Sequence, residues 1–335
     1  MIDFNITVCL LCQLASQADR GRSRDRLTAT ICFNLYSSHI QTNPAMSPKS
    51  IAVINFKGGV GKTTVTWSLG NIISQGTDLE VLMLDLDPQM SLTEAIGLNE
   101  NTGHLDDKFG RWYEQSLKHR LTIYDALEVF KKAGQNFKFP VGFDTIYQID
   151  EQLHFIPSVE ELYWLDLDGF EGKSVKDFIR RFSGKIANSP NLPKYDLMLF
   201  DCSPSFSLLT YSVLSCCDLI LIPVNPDYFG SRGLSLVLNS LQKRIEPYPF
   251  PKIAVFMNKA KIYGGLLTNE VQFYMREVKR LCAEISKDNN IEVKFLESTI
   301  RESVGLKRAI NEGELPRELV REFEQLWREC EEYLK

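Results

Sequence analysis

Ile51-Ala52-Val53-Ile54-Asn55-Phe56 runs into Lys57-Gly58-Gly59-Val60-Gly61-Lys62-Thr63-Thr64, and this stretch decides the fold. The apolar run reads as a buried strand. It breaks into a glycine-rich turn, and a helical segment follows over Val65 to Ile73. Strand, glycine loop and helix N-terminus together form an anion cradle, because the glycines let backbone N–H groups turn inward and the helix dipole adds positive potential. Gly58, Gly59, Val60, Gly61, Lys62, Thr63 and Thr64 are the candidate phosphate contacts. Lys62 can reach the β- and γ-phosphates of a nucleotide, and the Thr63 hydroxyl can ligate Mg²⁺. The expected fold is a P-loop α/β domain: a mostly parallel, twisted sheet with helices on both faces, in three α/β/α layers.

Two further strands end in carboxylates. Val81-Leu-Met-Leu-Asp85-Leu-Asp87-Pro88-Gln89 is a continuous apolar run of the kind found in a sheet covered on both faces. Tyr195-Asp-Leu-Met-Leu-Phe200-Asp201-Cys202-Ser203-Pro204-Ser205 is another, with Asp201 placed for a water-mediated Mg²⁺ contact. Carboxylates at strand C-termini face the crevice where open α/β sheets bind ligands. Leu219 to Val224 and Ile253 to Lys259 read as strands as well, the latter ending in Asn258 and Lys259.

The loop departs from the general phosphate-binding pattern: Phe56 stands where a glycine is usual, and Lys57 precedes the Gly58-Gly59 pair. It resembles the deviant Walker A motif, Lys-Gly-Gly-x-Gly-Lys-Thr, of the ParA/MinD (Soj-like) ATPases. Residues 85–89 resemble the Asp-x-Asp-Pro-Gln motif of that family. Residues 201–205 resemble its Asp-x-Pro-Pro-Ser, with Ser203 in place of the first proline. The resemblance implies ATP and Mg²⁺ as cofactors and an ATP-bound homodimer in which Lys57 reaches the partner's nucleotide. It also implies that Asp87 orients the attacking water, that Asp85 supports Mg²⁺ through water, and that Asn258 contacts adenine. Slow hydrolysis, stimulated by a small ParB-like partner, follows from the same resemblance, as does a cytoplasmic, nucleoid-associated location.

Net charge is −5 over 335 residues, which argues against coating by nucleic acid as a whole. Residues 228–308 nevertheless hold 14 Lys and Arg against 8 Asp and Glu. Within them 268–287 reads as a helix with Val271, Tyr274, Val278, Leu281, Cys282 and Ile285 on one side. Arg276, Lys279, Arg280 and Lys287 fall opposite, where they could neutralise DNA phosphates without reading bases. Either a solvated face or a DNA contact fits that pattern, and the family resemblance favours DNA.

Residues 1–48 form an extension unlike the rest: an apolar patch over Ile6 to Leu14, an arginine cluster, then a polar run. Met46 stands just before the first strand, so the upstream part is expected to be a disordered tail or mistranslated sequence. Residues 49–335 are expected to form the ATPase domain. Cys9 and Cys12 have CxxC spacing but no second pair nearby, and the eight cysteines read as reduced thiols. His104, His119 and His154 are isolated and read as surface or hydrogen-bonded residues. No apolar run approaches the ~18 residues of a membrane span. The final amphipathic stretch carries five glutamates, which anionic lipid would repel, and is expected to dock on the body without membrane contact. Competing readings are a MinD-like positioning ATPase, a reductase resembling nitrogenase iron protein, and a nucleotide-dependent binding module or repressor.

Overall fold

Eight strands form one sheet, because the buried apolar runs of the sequence have no solvated face to offer and must pair edge to edge. They are β1 (Lys49–Val53), β2 (Val81–Asp85), β3 (Tyr147–Gln148), β4 (Leu153–Ile156), β5 (Leu197–Asp201), β6 (Leu219–Val224), β7 (Lys252–Ala260) and β8 (Val293–Arg301). The order across the sheet is β8-β7-β6-β1-β5-β2-β4-β3. All neighbours are parallel except the short β3, which runs antiparallel to β4. The computed structural model describes residues 48–99, 104–105, 107–165, 175–245, 250–289, 291–306, 309 and 315–335. The extension over 1–47, the loop read in the sequence at Gly169 to Gly172 and the helix stop read at Gly313 lie outside these.

The helices are α1 (Lys62–Gly76), α2 (Ser91–Gly97), α3 (Asp107–Lys118), α4 (Ile123–Ala133), α5 (Phe178–Ala187), α6 (Leu208–Leu214), α7 (Tyr228–Arg244), α8 (Asn269–Asn289) and α9 (Arg317–Leu334). They complete the expected three-layer α/β/α sandwich. After β1 the chain moves past β5 to β2 and β4, returns to β5, and then builds β6, β7 and β8 on the other side of β1. The reversal at β1 and β5 opens a crevice at the strands' C-terminal ends. Lys62, Asp85, Asp201 and Asn258 all sit at or next to that end of the sheet.

Several local expectations are sharpened. α4 begins one residue after Thr122, whose hydroxyl accepts from Asp125 N–H while the Asp125 carboxylate accepts from Thr122 N–H, a reciprocal cap. Residues 297–304 resemble in sequence the loop after the last strand of the ParA/MinD ATPases, but 297–301 belong to β8 itself. As the sheet edge, β8 would expose unpaired N–H groups, and α9 covers them. Glu329 accepts from Glu297 N–H at 2.8 Å and Glu322 accepts from Arg301 N–H at 2.8 Å. The apolar side of α9, with Leu319, Phe323, Leu326, Trp327, Cys330 and Leu334, is buried as expected. Among the described residues no helix is long and apolar enough to cross a membrane.

Candidate functional site

Gly61 caps the N-terminus of α1 with φ +90°, a left-handed conformation that only glycine adopts freely. A Cβ there would stand 2.7 Å from Asn258 Nδ2, so side chain and strain both exclude other residues. No side chain caps this helix and no acidic residue occupies its first turn. Its leading N–H groups and its dipole are therefore available to an anion. Lys62 is buried at the same place. Burial pulls its pKa below the usual lysine value, while Asp201 and Asp87 pull it back up.

The loop is braced from the far side of β1. Asn258 Nδ2 donates to Val60 C=O at 2.7 Å, and Lys259 Nζ donates to Gly59 C=O at 2.6 Å. Lys259 itself has φ +54°, the conformation that swings its side chain toward the loop. Asn258, expected at a base, thus spends its amide N–H₂ on the phosphate loop, while its Oδ1 is buried with no partner. Asn55 gives a second brace: Nδ2 donates to Pro223 C=O at 2.8 Å and Oδ1 accepts from Lys57 N–H at 2.9 Å.

Lys57 Nζ bonds both oxygens of Asp227, at 2.9 and 3.1 Å, and lies 5.8 Å from the centre of the exposed Phe229 ring. Asp227 also caps α7, accepting from Gly230 N–H. Asn225-Pro-Asp-Tyr-Phe229 reads in sequence as an acidic-aromatic turn, which gives Asp227 no partner. The pairing spans 170 residues, and nothing local announces it.

Asp85 and Asp201 stand side by side, paired in register on β2 and β5, and both are buried. Their surroundings differ. Asp85 Oδ2 accepts from Thr93 N–H and the Thr93 hydroxyl, both at 2.8 Å, and Oδ1 accepts from Asp87 N–H at 3.1 Å. Neither oxygen of Asp201 accepts a well-formed hydrogen bond, and the Thr63 hydroxyl is the donor nearest to it. Burial raises the Asp85 pKa to about 7 against the opposing effect of the Thr93 bonds. Burial, then the neighbouring Asp85 charge, push Asp201 well above the carboxylate range, with Thr63 and Lys62 pulling the other way. Asp87 lies beyond β2 in a turn, its Oδ1 accepting from Gln89 N–H at 3.0 Å, and burial raises its pKa. Thr63 and Thr64, in the first turn of α1, complete the set.

The expected DNA face divides. In α8, Val271, Val278 and Cys282 are buried as the periodicity requires, and Arg276, Arg280 and Lys287 are exposed. Lys279 is a correction: it lies on the flank, bonded to both oxygens of Glu297 on β8 at 2.8 and 2.9 Å. Arg280 is engaged by Glu277 and Glu284 on its own helix. His154 is a second correction. It is buried in β4 with neither ring nitrogen hydrogen-bonded, and burial lowers its pKa.

Residues 48–249, more than half of the chain, match the family model described as an AAA domain. A 195-residue stretch is 30% identical to the sporulation initiation inhibitor protein Soj of Bacillus subtilis, covering 58% of this chain and 65% of Soj. The chain belongs to the ParA/MinD family of P-loop ATPases. An uncharacterized protein of Mycobacterium tuberculosis is 31% identical over 195 residues, 58% of this chain and 52% of its own length. The chain therefore spans about half to two thirds of these relatives. In three dimensions it is similar to a plasmid partition protein of Borrelia burgdorferi bound to AMPPNP, with a TM-score of 0.56 at 24% identity, covering 84% of this chain and 97% of that one.

Proposed function

We propose that this family member is an ATP-operated switch: it dimerises with ATP, binds DNA non-specifically, and partitions or positions a DNA cargo through slow, partner-stimulated hydrolysis. The observation that carries the reading is the α1 N-terminus, uncapped, with Lys62 buried against it and Asp201 bare beside it. A buried carboxylate without a well-formed hydrogen bond, next to an uncapped helix N-terminus, suits a magnesium-bound triphosphate, and the donor set is all oxygen, as Mg²⁺ prefers. Bound there, Mg²⁺ would neutralise phosphate charge. The backbone N–H groups of 58–64 bind the phosphates and Lys62 offsets charge on the transferring phosphoryl group. Thr63 and Asp201 hold the metal, Asp201 through water. Asp87 orients the attacking water.

Lys57 crosses to the partner's nucleotide in this reading, which requires it to leave Asp227. DNA binding through α8 rests mainly on Arg276 and Lys287, since Lys279 and Arg280 already have carboxylate partners. Membrane docking by the terminal helix is disfavoured, because α9 has its apolar face buried against the sheet. A reductase reading is disfavoured by Cys202 and Cys217, both buried, where a shared iron–sulfur cluster needs accessible thiolates.

ATP-dependent dimerisation, DNA binding and turnover, compared across wild type, Lys57→Ala, Lys62→Ala and Asp87→Ala, test the proposal. Lys62→Ala is expected to lose productive ATP binding, and Asp87→Ala to dimerise without hydrolysing. Normal turnover by Asp87→Ala would remove its assigned role. No turnover by the wild type, with or without DNA, would favour a nucleotide-dependent binding module.

A further inference from the structure

Asp87 does not fix its own position. Its N–H donates to Asp85 Oδ1 at 3.1 Å, and its C=O accepts from the Ser158 hydroxyl at 2.7 Å and from Met90 N–H at 2.8 Å. Ser158 is fully buried just past β4. Its N–H donates to Thr93 Oγ1 at 2.9 Å, and Thr93 Oγ1 donates to Asp85 Oδ2 at 2.8 Å. Asp85, Asp87, Ser158 and Thr93 thus close a buried ring of hydrogen bonds.

With Asp85 ionised, the proton count in this ring is fixed. A hydroxyl has one proton and two lone pairs. Thr93 gives its proton to Asp85 and a lone pair to Ser158 N–H. Ser158 gives its proton to Asp87 C=O. No donor has an alternative acceptor in the ring, so it has one arrangement. The turn it holds contains Met90 at φ +56°, a conformation a side-chain-bearing residue keeps only when its surroundings impose it. A further bond leads outward: Tyr113 Oη donates to Ser158 C=O at 2.8 Å. Tyr113 belongs to α3 and stacks on Phe109, whose ring meets Tyr147 of β3 edge-on at 5.0 Å.

We propose that Ser158 and Thr93 are positioning residues for Asp87, and that Tyr113 couples their ring to the aromatic cluster of α3 and β3. The proposal rests on the reading of Asp87 as the residue that orients water. It gives a role to a segment whose sequence carries no motif. Catalytic geometry tolerates little displacement, so a shift of the Asp87 main chain should appear in the chemical step and not in nucleotide binding.

The test is steady-state ATP turnover by the full chain with Mg²⁺ and DNA, together with affinities for ADP alone and for ADP with aluminium fluoride, which mimics the transferring phosphoryl group. Ser158→Ala and Thr93→Val are expected to lower kcat about tenfold, the usual scale for one buried hydrogen bond. KM and ADP affinity should stay within about twofold. Aluminium fluoride capture should weaken in parallel with kcat, a loss that general destabilisation would not confine to the transition-state mimic. Thr93→Ser should recover most of the rate, and Tyr113→Phe should cost about threefold. Wild-type kcat in Ser158→Ala and Thr93→Val, or a loss shared equally by ADP affinity, would overturn the proposal. Should Ser158→Ala not fold, unchanged kcat in both Thr93→Val and Tyr113→Phe overturns it equally. A wild type that neither turns over nor captures aluminium fluoride defeats the activity reading itself, an outcome visible before any variant is compared.

Discussion

The ends of β2 and β5 present the same residue at the same depth, one strand apart, and give it opposite work. Asp85 accepts three well-formed hydrogen bonds: two from Thr93 and one from Asp87. Asp201 accepts none of that geometry, with only the Thr63 hydroxyl and Lys62 beside it. Each fits the expected position of a metal-supporting carboxylate, and strand-end position alone cannot separate them. The donors separate them. A carboxylate saturated by its own chain holds a turn in place. A carboxylate buried without donors is held in an unfavourable state that only an external cation or water relieves.

The contrast breaks most directly in stability. Asp85→Ala leaves three buried donors without their acceptor and should cost about 3–5 kcal/mol in denaturant unfolding. Asp201→Asn removes an uncompensated buried carboxyl and should change stability by less than about 1 kcal/mol in the absence of nucleotide. Equal losses in the two variants would show that the donor count does not decide their roles.

Ligand affinity should reverse the ranking. Asp201→Asn is expected to weaken Mg²⁺-dependent ATP binding by about ten- to a hundredfold, on the scale of a lost metal-supporting group. Titration calorimetry with and without Mg²⁺ reads this directly. Affinity measured in EDTA should be nearly unchanged.

His154 offers a buried, unpartnered group near the opposite end of the sheet, with Glu80 Oε2 3.9 Å from its Nδ1. Burial lowers its pKa below 6.5, so the unfolded chain binds the proton more readily than the folded one. Its contribution is therefore harmless above about pH 6.5 and destabilising below it, at up to about 1.4 kcal/mol per pH unit. Chemical denaturation between pH 7.5 and 5 should show His154→Phe losing less stability than wild type. Parallel curves would mean that the ring finds a partner when charged.

The smallest effect on stability concerns Lys57. Its pair with Asp227 is partly exposed, and asparagine keeps the α7 cap, so Asp227→Asn should cost under about 1 kcal/mol. The same change frees the lysine that the proposed dimer needs, and ATP-driven dimerisation should occur at lower protein concentration. Weaker dimerisation in Asp227→Asn would make the pair part of the assembled state.

The sequence made the parallel core legible because strands buried on both faces are written as unbroken apolar runs, two of which end at a candidate carboxylate, Asp85 and Asp201. The phosphate loop was legible because its chemistry is contiguous: glycines, lysine and threonine act within eight residues. Thr93, Ser158 and Asp227 were not, since each is an ordinary polar residue whose partner lies 8 to 170 positions away. α3 was missed because Gly110 interrupts its pattern and its aromatics pack on other aromatics, which periodicity does not reveal. Lys279 was assigned to the solvent face because helical angle alone does not show that β8 offers Glu297 at the flank.

The carboxylates that α9 lays along β8 also set a limit on growth. Glu322 and Glu329 are seven residues apart, two helical turns, and meet N–H groups four residues apart on the strand. They occupy the places that the carbonyls of a ninth strand would take. At the other margin β3 is only two residues long and offers little to extend. The sheet is closed to further strands at both margins, by borrowed acceptors on one side and by brevity on the other. Copies of this chain at high local density can thus crowd together without their sheets fusing.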